Sequence, residues 1–348
     1  MLILSNEDAE VLLPMPDCIA ALEEAYIELA HSRAANALRT DVVTTTDHPD
    51  TVYSLKLMGS VVKSLGVGAL RLNSDIISFA GGRQVKKPLA PGNRYTGLVL
   101  LFSIETGEPL AIFPDGVLQR LRVGATSGIA AKYMARADAR TVGLIGAGWQ
   151  AGAQVLAIAA VRKIDTIRCY SPTQEKCAAF CREMSGLTGI KVTPAATPED
   201  AVKGVDIVLC ATNAGQHVFF ERWLEPGMHV GTIRGPELEA GVLKRSDFIV
   251  VHDRSARPAI AVTRDVVMPA SRHEIKGFTG LDKCPTLAEL VAGLAPGRQS
   301  AQHISTFVNL PGLGLQFAAV GAAFYRKARA AGRGKELPTE WFTEDVVP

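Results

Sequence analysis

The stretch Thr141–Gly152 reads TVGLIGAGWQAG, and its reading decides the fold. Val142 to Ile145 form a short extended run that ends at Gly146, Ala147 and Gly148, and Ala151 then opens an apolar, alanine-rich helical pattern. The spacing predicts a strand, a tight glycine turn and a helix. Gly146 permits a sharp reversal, Gly148 leaves the backbone open to a pyrophosphate, and Ala151 lets the helix lie close on the strand. The helix start offers free N–H groups and partial positive charge to phosphate. Glycine turns also join strands to helices where no ligand binds, so the flanking pattern has to carry the argument.

Downstream the pattern alternates. Strands are expected at Thr166 to Tyr170, Lys191 to Thr193, Asp206 to Ala211, Met228 to Ile233 and Phe248 to His252, and helices to Arg162, from Pro172 to Ser185 and from Pro198 to Val202. Ser171-Pro172 and Thr197-Pro198 read as helix starts with a capping residue before proline. Alternating βα units imply a Rossmann-type, doubly wound parallel sheet of the α/β class, with the glycine turn where a dinucleotide belongs. Upstream lie an amphipathic helix from Pro16 to Arg33, three β-rich runs between Leu38 and Leu72, and a loop-rich stretch from Asp75 to Gly97 containing Gly81-Gly82 and Pro91-Gly92. Strands Gly97 to Ile104 and Pro109 to Phe113 follow as a hairpin. A long helix runs on from Gly116, and helices from Thr286 to Leu294 and Gly314 to Gly332 end the pattern. Two domains are expected: residues 119–307 for the dinucleotide, and residues 1–118 with 308–348 as an α+β substrate and dimerisation domain built from both chain ends.

Composition narrows the classes. A chain of 348 residues with 47% hydrophobic and 21% charged residues suits a soluble protein with two cores. A net charge of +2 without basic runs gives no reason to expect nucleic acid, and no apolar run reaches the roughly 18 residues of a membrane span. A cytoplasmic location is expected. The six cysteines are expected as free thiols without metal, although Cys177 and Cys181 share a helix face.

Four runs together carry a resemblance: ETGEPLAIFPDG from Glu105, LRVGATSGIAAKYMAR from Leu121, VGLIGAGWQA from Val142 and DIVLCAT from Asp206. With their spacing, the chain resembles the ornithine cyclodeaminase and mu-crystallin family along nearly its whole length. The resemblance implies a homodimer and a nicotinamide cofactor that handles hydride at a carbon bearing nitrogen. Arg39 and Arg122 fall at positions where the family holds a substrate carboxylate, a task suited to the planar guanidinium fork.

Two departures matter. Where the family usually carries a Gly-x-Lys beside the reacting centre, this chain reads Gly68-Ala-Leu-Arg71. Arginine does not release its proton near neutral pH, so Arg71 reads as a carboxylate anchor or clamp in the catalytic set. The proton must then come from Asp75, Asp115, Lys56 or an ordered water, and Asp115 enters the catalytic set on that basis. After Met228 to Ile233 the cyclodeaminase pattern carries an aspartate, whereas this chain has a shorter loop with Arg234, a further substrate-binding candidate, and Glu237. Without that aspartate, cyclodeamination lacks its expected base.

The expected dinucleotide contacts are Gly146, Ala147, Gly148, Trp149, Gln150, Ser171, Thr173, Lys176, Thr212 and Asn213. No carboxylate ends the second strand, and Tyr170-Ser171-Pro172-Thr173 with Lys176 suits a 2′-phosphate, so NADP(H) is favoured over NAD(H). The expected activity is reduction of an imine or ketimine next to a carboxylate, or amino-acid dehydrogenation in reverse. The alternatives are a cyclodeaminase using bound NAD and a non-enzymatic NADPH-dependent ligand carrier.

Overall fold

The computed structural model describes residues 1–78, 85–88, 94–254, 259–266 and 275–344. Thr141–Ile145 lies within a seven-stranded sheet, ordered Lys191–Pro194, Thr166–Tyr170, Thr141–Ile145, Ile207–Cys210, His229–Thr232, Ser305–Val308 and Phe248–Val251. Every pairing in it is parallel. The strand order runs outward in both directions from Thr141–Ile145, so the glycine turn stands at the topological switch point, where diverging loops leave a crevice.

The expected helices follow, with one shift. The helix expected from Pro172 begins at Gln174, and Thr173 flanks it without a side-chain cap bond. Gln174 instead reaches back to the Ser171 carbonyl at 3.2 Å, which holds residues 171–173 as a loop. Thr197 does cap its helix, accepting from the Asp200 amide at 3.0 Å. Strand Ser305–Val308 was not expected. Its four residues are all buried, so no polar alternation marks it in the sequence.

The helix Gly116–Met134 joins the two sheets, and its small residues explain how. A Cβ on Gly124 would come within 2.5 Å of the Ala153 carbonyl, and one on Gly128 within 2.9 Å of the Ala157 methyl. Both glycines lie one turn apart, so the helix Trp149–Val161 packs against this face at backbone contact.

The other sheet has ten strands. Its main path is Ala259–Val262, Thr40–Thr45, Thr51–Val62, Val67–Ser78, Thr96–Ser103, Pro109–Pro114, Leu2–Ile3 and Lys335–Glu336, with Ala34–Asn36 and Val85–Lys87 paired beside it. Leu2–Ile3 and Lys335–Glu336 pair with each other at one edge, which brings the two ends of the described chain together. Ala259–Val262, from the stretch numbered with the nucleotide half, pairs with Thr40–Thr45. Helices Met15–Ala30 and Leu315–Ala330 share a buried core with this sheet, and Phe113 meets Phe324 edge-on at 5.3 Å. The expected loop glycines at Gly81-Gly82 and Gly92 lie outside the described residues. Among the described residues no helix is long and apolar enough to cross a membrane.

Candidate active site

Strand Val67–Ser78 alternates as far as Ile77, and its buried side changes character along its length. Val67 and Ala69 belong to the apolar core, but Arg71, Asn73 and Asp75 continue on that same side, all buried. The register sets Met58 opposite Arg71, Asn73 opposite Lys56 and Lys56 opposite Asp41, so one sheet face carries a polar ladder across three strands. Phe317 marks where the apolar part ends. The Arg71 and Arg122 guanidinium groups each stand 5.3 Å from its ring centroid.

Charges on this face are paired. Arg71 donates from Nε to Asp115 Oδ2 at 2.8 Å, and Asn73 Nδ2 donates to the same oxygen at 2.9 Å. Gly97 makes the room, because a Cβ there would overlap both Asp115 and Asn73. Arg39 forks onto Asp41 at 2.7 and 2.6 Å. Asp75 takes two ammonium groups, Lys56 at 2.6 Å and Lys86 at 2.5 Å.

Arg122 differs. Its Nε and Nη2 donate to Gln119 Oε1 at 3.2 and 2.8 Å, and its Nη1 donates to Gln316 Oε1 at 2.8 Å. These acceptors are neutral amides. Burial, reinforced by the charge of Arg71, pushes the Arg122 pKa down to about 9, so the group stays cationic at neutral pH. A buried guanidinium held by amides has an electrostatic need that an anion would meet. The sequence reading missed the supports. Gln316 Nε2 donates to Thr126 at 2.6 Å, Tyr26 lies 2.8 Å from both Thr126 and His252 Nε2, and His252 Nδ1 faces the Pro311 carbonyl at 2.6 Å. That carbonyl can only accept, so Nδ1 carries the proton and Nε2 accepts from Tyr26. His252 directly follows strand Phe248–Val251, so the relay ties the parallel sheet to Arg122.

The second part of the site is a cleft of about 920 Å³ at the glycine turn. Gly146, Ala147, Gly148, Trp149, Gln150, Ser171, Lys176, Thr212 and Asn213 line it, whereas Thr173 does not. Gly146 has φ +116°, and a side chain there would run into the Ala211 carbonyl. At Gly148 a Cβ would meet nothing within 4 Å, so the turn presents open backbone beneath the helix start. Gln150 Oε1 is buried without a partner. A glycine cradle with open backbone N–H groups at a helix start fits a dinucleotide pyrophosphate. Arg234, expected as a substrate-binding residue, also lines this cleft.

Glu237 is fully buried, and its role is visible in its donors. Thr212 gives it N–H and hydroxyl bonds at 2.6 and 2.8 Å, Thr232 a hydroxyl bond at 2.6 Å, and the Ile233 and Arg234 amides bonds at 3.1 Å each. The carboxylate thereby pins together two loops that wall the cleft. All its hydrogen-bonding capacity is spent on that clasp, which leaves no lone pair directed to a substrate amine.

Against this geometry, comparison with known proteins is decisive. The sequence profile of the ornithine cyclodeaminase/mu-crystallin family matches residues 1–331. The chain belongs to this family. Delta(1)-pyrroline-2-carboxylate reductase of Bacillus cereus is 29% identical over 342 residues, covering 97% of this chain and 99% of that protein. The structure of Thermococcus litoralis Delta(1)-pyrroline-2-carboxylate reductase with NADH and L-proline superposes with a TM-score of 0.78 at 27% identity, covering 97% of this chain and all of that one. An archaeal alanine dehydrogenase dimer with bound NAD gives 0.79 at 27% identity, over 97% and 99% of the two chains. The family fold thus accounts for both sheets.

One cluster lies beneath the cleft. Cys169, from the strand, joins Cys177 and Cys181 of the following helix, with their sulfurs within 4.8 Å of one another and all three buried. Cys169 Sγ donates to the Gly146 carbonyl at 3.5 Å, and Cys177 Sγ to the Cys169 carbonyl at 3.3 Å. Hydrogen bonding within the cluster and burial hold the Cys169 thiol well above its ordinary range.

Proposed function

We propose that this protein is an NAD(P)H-dependent reductase of imines that carry an adjacent carboxylate, working in reverse as an amino-acid dehydrogenase. Arg122 carries the reading, because it is the buried guanidinium on the ladder whose fork meets neutral amides. A substrate carboxylate supplies the missing negative charge and takes two parallel N–H bonds. Arg71, braced by Asp115, and Arg39, braced by Asp41, stand around it and hold the C=N group in one orientation. Gly146, Gly148 and the helix start would hold the pyrophosphate, with Gln150 beside it and Thr212 and Asn213 toward the nicotinamide end. The bound reduced nicotinamide supplies the hydride. The Bacillus and Thermococcus reductases support the substrate class.

The two halves divide near residues 118 and 308, with the ladder strands in one and the cleft in the other, while Arg122 and strand Ala259–Val262 cross from the nucleotide half to the ladder's sheet. The protein works as a homodimer in this reading, supported by the dimeric alanine dehydrogenase and by exposed Leu38, Val42, Ile260 and Val262 at one sheet end. NADP(H) is the preferred cofactor, supported by Ser171 and Lys176 at the end of strand Thr166–Tyr170 with no carboxylate among the residues lining that part of the cleft.

The test is oxidation of NADPH and NADH against cyclic imino acids and against 2-oxo acids with ammonia or methylamine. Turnover that requires the amine or the cyclic imine establishes the reading. Cofactor binding without turnover across the panel overturns it, and ammonia release from ornithine without net cofactor change points to cyclodeamination instead.

A further inference from the structure

Reduction of C=N leaves an electron pair on nitrogen, which must acquire a proton, while Arg39, Arg71 and Arg122 are held by their carboxylate and amide partners as the cations that anchor a carboxylate. The acids on the ladder are engaged as acceptors, Asp115 by Arg71 and Asn73, Asp41 by Arg39, and Asp75 by two ammonium groups. We propose that Lys56 is the proton donor to the imine nitrogen, standing on the ladder beside Arg71 with its ammonium fixed by Asp75. This rests on the imine-reductase reading above.

The placement is set by register. Met58 lies opposite Arg71, and Lys56 is two residues away on the same face, so the two side chains are diagonal neighbours, about 7 Å apart at their bases. Lys56 faces Asn73 between Arg71 and Asp75 and its ammonium rests on Asp75, so in this proposal the substrate nitrogen lies along the ladder from the carboxylate at Arg122 and Arg71 toward Asp75. The groups facing Lys56 are Asp75 at 2.6 Å, Asp41 directly opposite in register, and the cations Arg39, Lys86 and Arg71 nearby. Lys56 is mostly buried, and burial draws its pKa below the ordinary lysine range, against the pull of Asp75. That direction suits a group that must both give and regain a proton. In the step, an N–H bond of the Lys56 ammonium breaks, its pair stays on Nζ, and a new N–H bond forms on the substrate. The reduced nicotinamide provides the two electrons. Solvent then returns a proton to the neutral amine beside Asp75.

Lys86 also touches Asp75, but its side chain is 39% exposed against 15% for Lys56, and it sits on the short strand Val85–Lys87, which pairs with Ile76 to Ser78, farther from Arg71.

Lys56→Arg and Lys56→Met separate charge from proton transfer. Arginine keeps a cation for Asp75 but cannot deliver the proton, so both variants are expected to lose about 100-fold or more in kcat on a cyclic imino acid. Binding of NADPH, followed by fluorescence, and of the product amino acid, followed by calorimetry, stays within about threefold for Lys56→Arg. The alkaline limb of the wild-type kcat profile, set by loss of the donor proton, disappears in both. Methylamine restores part of the turnover of Lys56→Ala. Competitive acylation read by mass spectrometry finds Lys56 reactive at lower pH than surface lysines. Retention of a third or more of kcat by Lys56→Arg overturns the assignment, as does an alkaline limb that survives it but vanishes in Lys86→Met. Wild-type enzyme that reduces no imino acid overturns the imine-reductase reading and this inference together, whereas active wild type with an intact Lys56→Arg overturns this inference alone.

Discussion

The glycine turn and the polar ladder sit in the same molecule and recognise in opposite ways. At the turn the backbone presents itself, and what matters is the absence of side chains at Gly146 and Gly148. On the ladder the backbone is tied into strand pairing, and long side chains from separate strands and two helices converge instead. Backbone recognition is local, contained in a dozen consecutive residues. Side-chain recognition here is long-range, since Arg122 depends on Gln316 and Arg71 on Asp115. The first tolerates almost no change at two positions, and the second distributes its energy among partners.

The largest expected effect separates the two glycines. Gly146→Val combines a positive φ with a clash against the Ala211 carbonyl, and is expected to cost about 4 kcal/mol or more and to yield little folded protein. Gly148→Val has ordinary extended backbone and open space, so its melting temperature should stay near wild type. Its dinucleotide Kd should rise about 100-fold, because the branched side chain stands where the pyrophosphate approaches. Calorimetric melting with dinucleotide titration reads both, and a Gly148→Val protein that binds normally would break the contrast at its root.

Next comes the ladder. Arg122→Met should lower kcat/KM by about 100- to 1000-fold, roughly 3–4 kcal/mol, mostly through KM, because a substrate carboxylate loses its charged fork. Stability should hold, since the change removes a buried cation from the neighbourhood of Arg71 and Arg39. Dinucleotide affinity should stay within about threefold. Equal loss of dinucleotide and substrate binding would mean that the two regions are not separate recognisers.

This difference also explains what was legible in the sequence. The strand, turn and helix from Thr141 are marked by hydrophobic period and glycine spacing, which report local backbone geometry directly. The LRVGATSGIAAKYM run is legible for the same reason, as Gly124 and Gly128 record close contact with Ala153 and Ala157. Arg71 and Arg122 were nominated through resemblance and Asp115 as one of several possible proton sources, but their supports were hidden. Nothing near Arg122 in sequence points to Gln316, Tyr26 or His252, which reach it only through tertiary packing. One signal was present for Asn73: Arg71, Asn73 and Asp75 alternate along a strand that begins with apolar Val67 and Ala69 on the same side. Charges on the inward side of a strand are costly unless paired, so that pattern marks a paired polar face. The shift of the helix start from Pro172 to Gln174 was not legible, because both residues suit the first turn.

Acid should probe the joint between the regions. Burial pushes His252 down to about 4 and His229 down to about 3, so both are neutral in the folded protein at pH 5. In the unfolded chain their pKa is near 6.5. The unfolded state therefore binds more protons below that value, and stability falls as pH drops from about 6.5 toward 4. Each histidine contributes about 2 kcal/mol of loss between pH 7 and pH 5. His252→Gln keeps an acceptor for Tyr26 and should remove its share of the slope, as read from urea melts at the two pH values. Because His252 belongs to the relay behind Arg122, the variant should also raise substrate KM more than dinucleotide Kd. An unchanged acid slope would show that His252 is protonated in the folded state and that the relay runs the other way.

The smallest expected effect lies at the edge of the cleft, where backbone recognition gives way to side chains. Ser171 and Lys176 line it and Thr173 does not. Ser171→Asp places a carboxylate at the end of strand Thr166–Tyr170, where it accepts from ribose hydroxyls and repels a 2′-phosphate, and should move the NADPH to NADH preference toward NADH by about tenfold. Lys176→Glu should move it less, about fivefold or roughly 1 kcal/mol, because Lys176 is exposed and water screens its charge. Thr173→Ala should leave the ratio unchanged, since that side chain neither caps the helix nor faces the cleft. The ordering is informative beyond each value. If Thr173→Ala shifts the preference while Ser171→Asp does not, the loop before Gln174 adopts another arrangement when the dinucleotide binds, and selection at this edge is made by induced fit rather than by residues already in place.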